Sequence, residues 1–435
     1  MSSRKTTREI TRERHLNQTC KVYQVKINKS SLSKSSLNHL NSLFLEGKWL
    51  YNSILASKDI LKYDTKIKEV PVLVKDVFED RKLSKISSQM KQGIKDRTFQ
   101  NILSLAAKKK KQQNSKKKQR IGKLKFISYL NCIPLKQHNN TYKVIRASNR
   151  IKIQGIKKSV RVYGLNQLPK DCEIANGNLV KKADDYFVYI TTYQKKVKKD
   201  IPDESIGIDF GCETQLTLSN RIKIKYEIPI SKRLRRLDRK IMKKNRKRSN
   251  NKYKDQIKRQ REYIKLTNIK SDIRNKIVSM LTNNYRTVIF QDESIHAWHA
   301  GNHGKKIQNT SIGGIIRDLK NKSHTPVMVD KFFPSTQLCP KCSKKNKFPV
   351  WERTYSCECG FKDDRDVKAA KCIETEGLIN YVPVERREFK LEETEASATN
   401  IFDSLESKYV RVSFCRKTRE RKSQETQSFS LEIVL

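Results

Sequence analysis

The stretch that decides the fold is Cys339–Ala370, CPKCSKKNKFPVWERTYSCECGFKDDRDVKAA. Cys339 and Cys342 form one close pair, and Cys357 and Cys359 form a second after the spacer 343–356. Four thiolates at this spacing can close a tetrahedral zinc site that staples two short hairpins. Shortly beyond Cys359 stands Asp366, in RDVKAA, at the start of an Ala-rich helical pattern. A metal ribbon followed at once by an acid that opens a helix points to a nucleic-acid enzyme whose last catalytic carboxylate is delivered by that helix.

Working outward, charge bounds the partner. The chain has 435 residues, with 95 Lys and Arg against 45 Asp and Glu, a net charge of +50. A charge of that size, spread along a chain with folded-looking apolar patterns, predicts a polyphosphate partner held along an extended surface. The opening MSSRKTTREITRERH has no apolar core and does not read as a secretory signal. No run approaches the length of a membrane span, so no membrane partner is expected. Six cysteines lie scattered outside the two pairs, and without an export signal reduced thiols and metal binding are expected rather than disulfides. For a prokaryotic source the expected location is cytoplasmic and nucleoid-associated.

The hydrophobic period changes along the chain. Residues 20–28 alternate like a strand, and 31–61 follow a helical period. Lysine clusters at Lys108, Lys109, Lys110 and Lys111 and at Lys116, Lys117 and Lys118 read as an exposed, phosphate-seeking loop. Between 123 and 193, LKFISYL, YKVIRA, RIKIQG, VRVYG and DYFVYITTY read as strands, with turns at Asn139-Asn140 and Asn176-Gly177. They predict a small β-barrel. A linker follows at 195–204. SIGIDFG, TQLTLSN and RIKIKYEIPI read as three consecutive strands, then come helices at about 231–248 and 253–282. These helices are crowded with basic residues, and Arg235, Arg236, Arg239, Lys243, Lys244, Arg246, Lys247 and Arg248 are the candidate phosphate contacts. TVIFQDE, SIGGIIRDLKNKS and TPVMVDKFF then read as strand, helix and strand. That order is the order of an RNase H-like α/β domain with the ribbon inserted before its final helix. The whole chain is therefore read as α+β and multidomain.

Three carboxylates fit one site. In SIGIDFG, alternation puts Asp209 on a face shared with Gly207 and Gly211, where a metal ion and a phosphate can approach. In VIFQDESI, within a strand read over 287–293, Gln291 and Glu293 share a face and Asp292 points away, so Glu293 is the second candidate carboxylate. Asp366 comes from the late helix, whose Ala369 and Ala370 allow close packing on a sheet. Asp363 and Asp364 beside it read as ordinary charges at a helix N-terminus. Each acid alone has a bland reading as a turn former or a surface charge. Together they suit metal-assisted phosphodiester cleavage, which needs several carboxylates converging on divalent ions.

In order, IGIDFG, QDESIHAW, SHTPV and CPKC…CECG…DRDVKAA resemble TnpB, the RNA-guided nuclease family of insertion sequences, and more distantly the type V CRISPR effectors. The resemblance covers about 205–377, and VPVERREFK at 382–390 resembles the tail of some members. It implies a wedge-like β-barrel in two parts, 1–30 and 123–194, split by a helical recognition insertion at 31–122. It further implies a RuvC-like nuclease domain at 205–338, the zinc ribbon at 339–360, a last catalytic helix at 361–377 and a tail at 378–435. By the same resemblance Asp209, Glu293 and Asp366 are catalytic and hold Mg²⁺, and Cys339, Cys342, Cys357 and Cys359 hold a structural Zn²⁺. The partners it implies are a guide RNA encoded by the element and target double-stranded DNA, cut next to a short flanking motif. Delegating sequence to base pairing suits a basic channel that reads backbone and duplex shape.

This sequence departs from the family at four places. Gln291 stands where Glu is common, with the nearest acid two residues on at Glu293. The second cysteine pair is C-x-C, Lys368 replaces Asn, and Cys372 replaces an aliphatic residue or Asn. Gln291 favours an alternative, a nuclease-inactive RNA-guided DNA-binding protein acting as a repressor. Asp209 and Asp366 argue against it, because a protein that does not cut needs neither.

Overall fold

The computed structural model describes residues 6–57, 59–74, 77–113, 121–197, 200–229, 231–243, 249–300, 304–347, 349, 351–381 and 409–411. The chain divides into two compact units, at the junction of residues 198 and 199.

The first unit is built on a nearly closed, barrel-like antiparallel sheet. After α1 (Thr7–Leu16) come β1 (Gln18–Ile27), α2 (Lys34–Ala56), the hairpin β2 (Glu69–Val74) and β3 (Val77–Lys82), and α3 (Ser88–Gln113). Then follow β4 (Cys132–Leu135), β5 (Tyr142–Ile145), β6 (Arg150–Ile153), β7 (Val160–Tyr163), β8 (Glu173–Lys182) and β9 (Asp185–Lys195). The strand order is β4-β8-β9-β1-β7-β6-β5. The long central strand β1 pairs with β9 over its length and with β7 at its end. Val25, Ile27, Ile133, Ile151, Val162, Val188 and Ile190 form the core with Leu40, Leu43 and Leu50 of α2 and Met90 and Ile94 of α3. Glu46 of α2 is buried because its carboxylate accepts the amides of Lys85 and Ile86, at 2.8 and 2.9 Å, just before α3 begins.

Three expectations change here. LKFISYL is not a strand: Asn52 takes both the amide and the carbonyl of Ile127, so that backbone is satisfied by a side chain and not by a ladder. Asn176-Gly177 is not a turn but lies in β8, where the pairing to β9 shifts register between Ile174 and Gly177. That is a bulge, and the turn falls at Ala183, which takes φ 52°. Lys108–Lys111 is not a loop but the last part of α3, since the Ala-Ala-Lys run contains nothing that stops a helix. Lys116, Lys117 and Lys118 lie outside the described residues. Helix α1 was not foreseen, although its signal is present: Thr6 and Glu9 form a reciprocal capping box.

The second unit holds β10 (Ser205–Phe210), β11 (Leu216–Leu218), β12 (Lys223–Lys225), α4 (Lys232–Met242), α5 (Asn250–Asn284) and β13 (Thr287–Gln291). These are followed by α6 (Ile295–Ala300), α7 (Gly304–Thr310), α8 (Ile312–Lys322), β14 (Thr325–Val329), β15 (Thr354–Ser356), β16 (Lys362–Asp364), α9 (Arg365–Tyr381) and β17 (Tyr409–Arg411). A mixed sheet runs β14-β13-β10-β11-β12-β17. β10 is antiparallel to β11 and parallel to β13, and β13 is parallel to β14.

Alternation sorts the two faces of that sheet. Ile206, Ile208, Phe210, Val288 and Phe290 join Ile273, Ile277 and Leu281 of α5 and Ile312, Ile315 and Leu319 of α8. Ile289, Val327 and Val329 face Ile373 of α9. Gly207 lies under α9, where an added Cβ would overlap the Ala370 carbonyl and come 2.7 Å from Glu374 Cβ. Its flexibility is therefore not what matters. The missing side chain admits helix backbone, whereas the sequence suggested that it admits an ion. Gly377 of α9 repeats the device over Ile289.

Gly207→Val should separate α9 from the sheet and cost about 1–3 kcal/mol, the usual range for overpacking a tight interior. Urea unfolding with unchanged slope would measure it.

Candidate functional site

Two groups of side chains in the second unit can do chemistry, and α9 joins them. The first is the thiol cluster. Cys339, Cys342, Cys357 and Cys359 bring their Sγ atoms within 4.8 Å of one another. Cys339 lies 3.6 Å from Cys359 and Cys342 3.6 Å from Cys357, far too long for disulfides. A tetrahedron with Zn–S of about 2.3 Å has edges of about 3.8 Å, so the spacing fits a metal ion such as zinc. Local turns build the cluster. Ser343, at φ 55°, and Gly360, at φ +82°, return their amides to the carbonyls of Cys339 and Cys357. The sequence expectation of two short hairpins is met by an isolated bridge, Leu338 to Lys345, and by the β15–β16 hairpin. The C-x-C pair sits in the tight turn at 357–360, and both of its Sγ atoms lie within 4.8 Å of those of the first pair. Asn346 Nδ2 donates to Cys357 Sγ at 3.3 Å, which supports the thiolate a metal requires.

The second group is carboxylic. Asp209 lies near the end of β10. It keeps a partial opening to solvent yet sits deep among packed atoms. Burial first, then the charges of Asp366 and Glu293, push its carboxyl up to about 8, against the opposing pull of Arg365 and Lys368. These three acids, distant in sequence, are thus electrostatic neighbours. Glu293 is half-buried and also raised, by burial first and then by Asp292. Asp292 is exposed and bonded to Lys320 at 2.9 Å.

Strand alternation does not explain Glu293. β13 ends at Gln291, and the Glu293 amide folds back onto the Gln291 carbonyl at 2.9 Å, a tight turn. Gln291 itself is buried, and its amide nitrogen donates to the carbonyls of Asp330, Lys331 and Phe333. Gln291 and Glu293 therefore do not present their side chains to the same surroundings.

Asp366 stands in the first turn of α9, and its position is set by neighbours that the sequence suggested were ordinary charges. Asp364 accepts the amides of Asp366 and Val367 at 3.0 and 3.1 Å, while its other oxygen bonds Lys223 of β12 at 2.7 Å. Asp363 is buried between Arg221 and Lys371. Arg353, from the loop before β15, was missed altogether: it bridges Glu213 at 2.7 Å and Asp366 at 3.6 Å. No local pattern announces it, since only the fold brings the ribbon beside Asp366. Lys368 is also buried and has its ammonium pushed down, mainly by that burial.

The basic helices divide by face. Leu234, Leu237 and Ile241 of α4 are buried, and Arg235, Arg236, Arg239 and Lys243 are exposed without an ion-pair partner among the described residues. Lys108, Lys109 and Lys110 are likewise exposed. Lys244, Arg246, Lys247 and Arg248, and the motif at 382–390, lie outside the described residues. Trp298 packs against the sheet core, and no helix is long and apolar enough to cross a membrane among the described residues.

Residues 316–373, which include both cysteine pairs and Asp366, match the family described as "Cas12f1-like, TNB domain". A Streptomyces pristinaespiralis protein named "Putative RNA-guided DNA endonuclease" is similar to this chain, 30% identical over 183 residues. That match covers 40% of this chain and 45% of the relative, so the chain spans less than half the length of that protein.

Two outcomes follow from the geometry. Metal analysis should find about one zinc per chain, and a Cys339→Ser/Cys342→Ser variant should lose it and melt at lower temperature. Asp209 has the opposite pH signature to a salt-bridged acid. Its folded carboxyl titrates near 8 and its unfolded one near 3.8, so the folded chain holds that proton more tightly. Without divalent cations, stability should fall as pH rises between those values, and Asp209→Asn should flatten that fall. Parallel melting curves would expose a wild type no steeper than the variant.

Proposed function

We propose that this chain, whose likenesses support a TnpB/Cas12f-like family, is an RNA-guided DNA endonuclease of a transposable element. On this reading it binds a guide RNA encoded by its own element and cuts double-stranded DNA beside a short flanking motif. The mixed sheet with α5, α8 and α9 is then an RNase H-like, RuvC-type nuclease domain, and the thiol cluster is its inserted zinc ribbon. The first unit is the wedge-like barrel with its helical recognition insertion.

The observation that carries the reading is the crowding of Asp209 by Asp366 and Glu293. Burial opposes charge at Asp209 and Glu293, and Asp366 acts on Asp209, so these oxygens are donors that a hard divalent cation would stabilise. We assign them to Mg²⁺. Bound there, Mg²⁺ supplies Lewis-acid stabilisation of the phosphate's developing charge and lowers the pKa of the attacking water. The chain's own residues do the rest. Asp209, near the end of β10, would be one carboxylate ligand of that ion. Asp366 is held in place by the Asp364 cap and its bond to Lys223. Arg353 and Arg365 offset the negative charge before substrate enters. The exposed basic face of α4 and the end of α3 take backbone phosphates, which carry affinity without sequence preference.

A second reading is a non-cutting RNA-guided DNA-binding protein. One observation favours it: Ile208 pairs with Phe290, so the next position in register beside Asp209 is the neutral Gln291.

The test separates them. Expression with native flanking DNA should yield a discrete co-purifying RNA that ends in a variable segment. With Mg²⁺ the complex should cut matched DNA. Asp209→Ala, Glu293→Ala and Asp366→Ala should each abolish cutting and leave guided binding intact, while Asp292→Ala, bonded away to Lys320, should stay largely active. A wild type that binds its guided target but never cuts in Mg²⁺ or Mn²⁺ assigns the chain to the second reading. Absence of any discrete RNA removes both.

A further inference from the structure

The segment 330–338, between β14 and the first cysteine, has no helix or strand of its own, yet it is gripped from two sides. From β13, Gln291 donates to the carbonyls of Asp330, Lys331 and Phe333 at 3.1, 3.2 and 2.8 Å, and accepts from the Ser335 hydroxyl at 3.3 Å. From α9, Lys368 donates to the carbonyls of Ser335 and Leu338, both at 3.0 Å. The Lys368 ammonium also stands 4.1 Å above the Tyr355 ring. Lys368 is 0% exposed and has no ion pair among the described residues. Leu338, whose carbonyl also receives the Cys372 thiol at 3.6 Å, is followed directly by Cys339 of the thiol cluster.

Burying a lysine with no ion-pair partner in contact costs stability that its longer-range attraction to Asp209 offsets only in part, and a methionine would fill the same space without that cost. What a methionine cannot do is hold two carbonyls at fixed positions. A carboxylate at 291 would fail in the complementary way, since it has no hydrogen to give to three carbonyl oxygens. Both residues suit one task, which is to orient the carbonyls of a bare strap.

We propose that Gln291 and Lys368 are positioning residues that clasp the strap 330–338, and that through this clasp the metal state of the four thiols sets where Asp366 stands relative to Asp209. Position 291 is then a neutral strut, and the acid comes from Glu293. The cutting arm of this inference rests on the nuclease reading above; the structural arm does not.

The test uses the full chain with its co-expressed RNA. Two readouts are independent of cutting: the rate at which a chelator removes zinc, and hydrogen exchange in peptides covering 335–340 and 365–370. Lys368→Met should release zinc about 10-fold faster and exchange faster in both peptides, as loss of an outer partner of a metal site does. Its single-turnover cutting should fall about 100-fold with target affinity unchanged, the usual cost of an ångström of misplacement. Lys368→Arg, which keeps the donors, should recover part of each effect. Gln291→Glu should loosen the strap and fail to rescue Glu293→Ala.

Wild-type zinc release and exchange in Lys368→Met overturn the proposal. So does loosening confined to 335–340 with 365–370 undisturbed, and so does rescue of Glu293→Ala by Gln291→Glu. If Lys368→Met does not fold, Gln291→Met is read on the same two peptides, and an undisturbed 365–370 overturns the coupling. If the wild type never cuts, the nuclease reading fails alone, because zinc release and exchange still decide whether the clasp exists.

Discussion

The second unit depends on one steric constraint, the approach of α9 to the sheet at backbone distance. Gly207 and Gly377 leave out side chains at the contact, and Ala369 and Ala370 add almost none. Only at this separation does the first turn of α9 reach the end of β10, so that Asp366 enters the field of Asp209. The apolar faces of α5 and α8 anchor the opposite side, which leaves the sheet nowhere to retreat. A few missing methyl groups thus do more to define the carboxylate site than any direct bond among the acids.

Electrostatics then works against packing. The fold crowds three acids together and spends Arg221, Lys223, Arg353, Arg365 and Lys371 around them or their neighbours. The pairs are not interchangeable. Asp363 and Asp364 are matched to cations and capping amides, so their bonds are spent within the scaffold. Asp209 is left with its charge opposed by burial and by two other acids. That contrast, between satisfied and frustrated carboxylates in one unit, separates scaffold from candidate chemistry.

Much of this was legible in the residues. Alternation in SIGIDFG gave both the core face and the odd position of Asp209, and cysteine spacing gave the thiol cluster. The unread parts are those where side chains take over backbone duties. Asn52 satisfies Ile127 and so abolishes a strand that hydrophobicity favoured. Glycine at 177 serves a bulge where a turn was expected, because a local pattern cannot say which partner strand lies alongside. Glu293 was picked out for the wrong reason: its approach to Asp209 comes from a turn, not from a continuing strand. Arg353 carried no sequence signal, because its partners Glu213 and Asp366 meet it only across the folded ribbon.

The position of the ribbon in the chain has a consequence for synthesis. β10 and β13, with Asp209 and Glu293, leave the ribosome before the cysteines do, and Asp366 follows only after the thiol cluster. The basic helices α4 and α5 are also made early. A nascent chain therefore presents its basic helices before the third acid of the carboxylate set is made, and that acid follows the four thiols. On the nuclease reading, the order of the polypeptide acts as a safety interlock: the protein meets its RNA while it is still chemically silent.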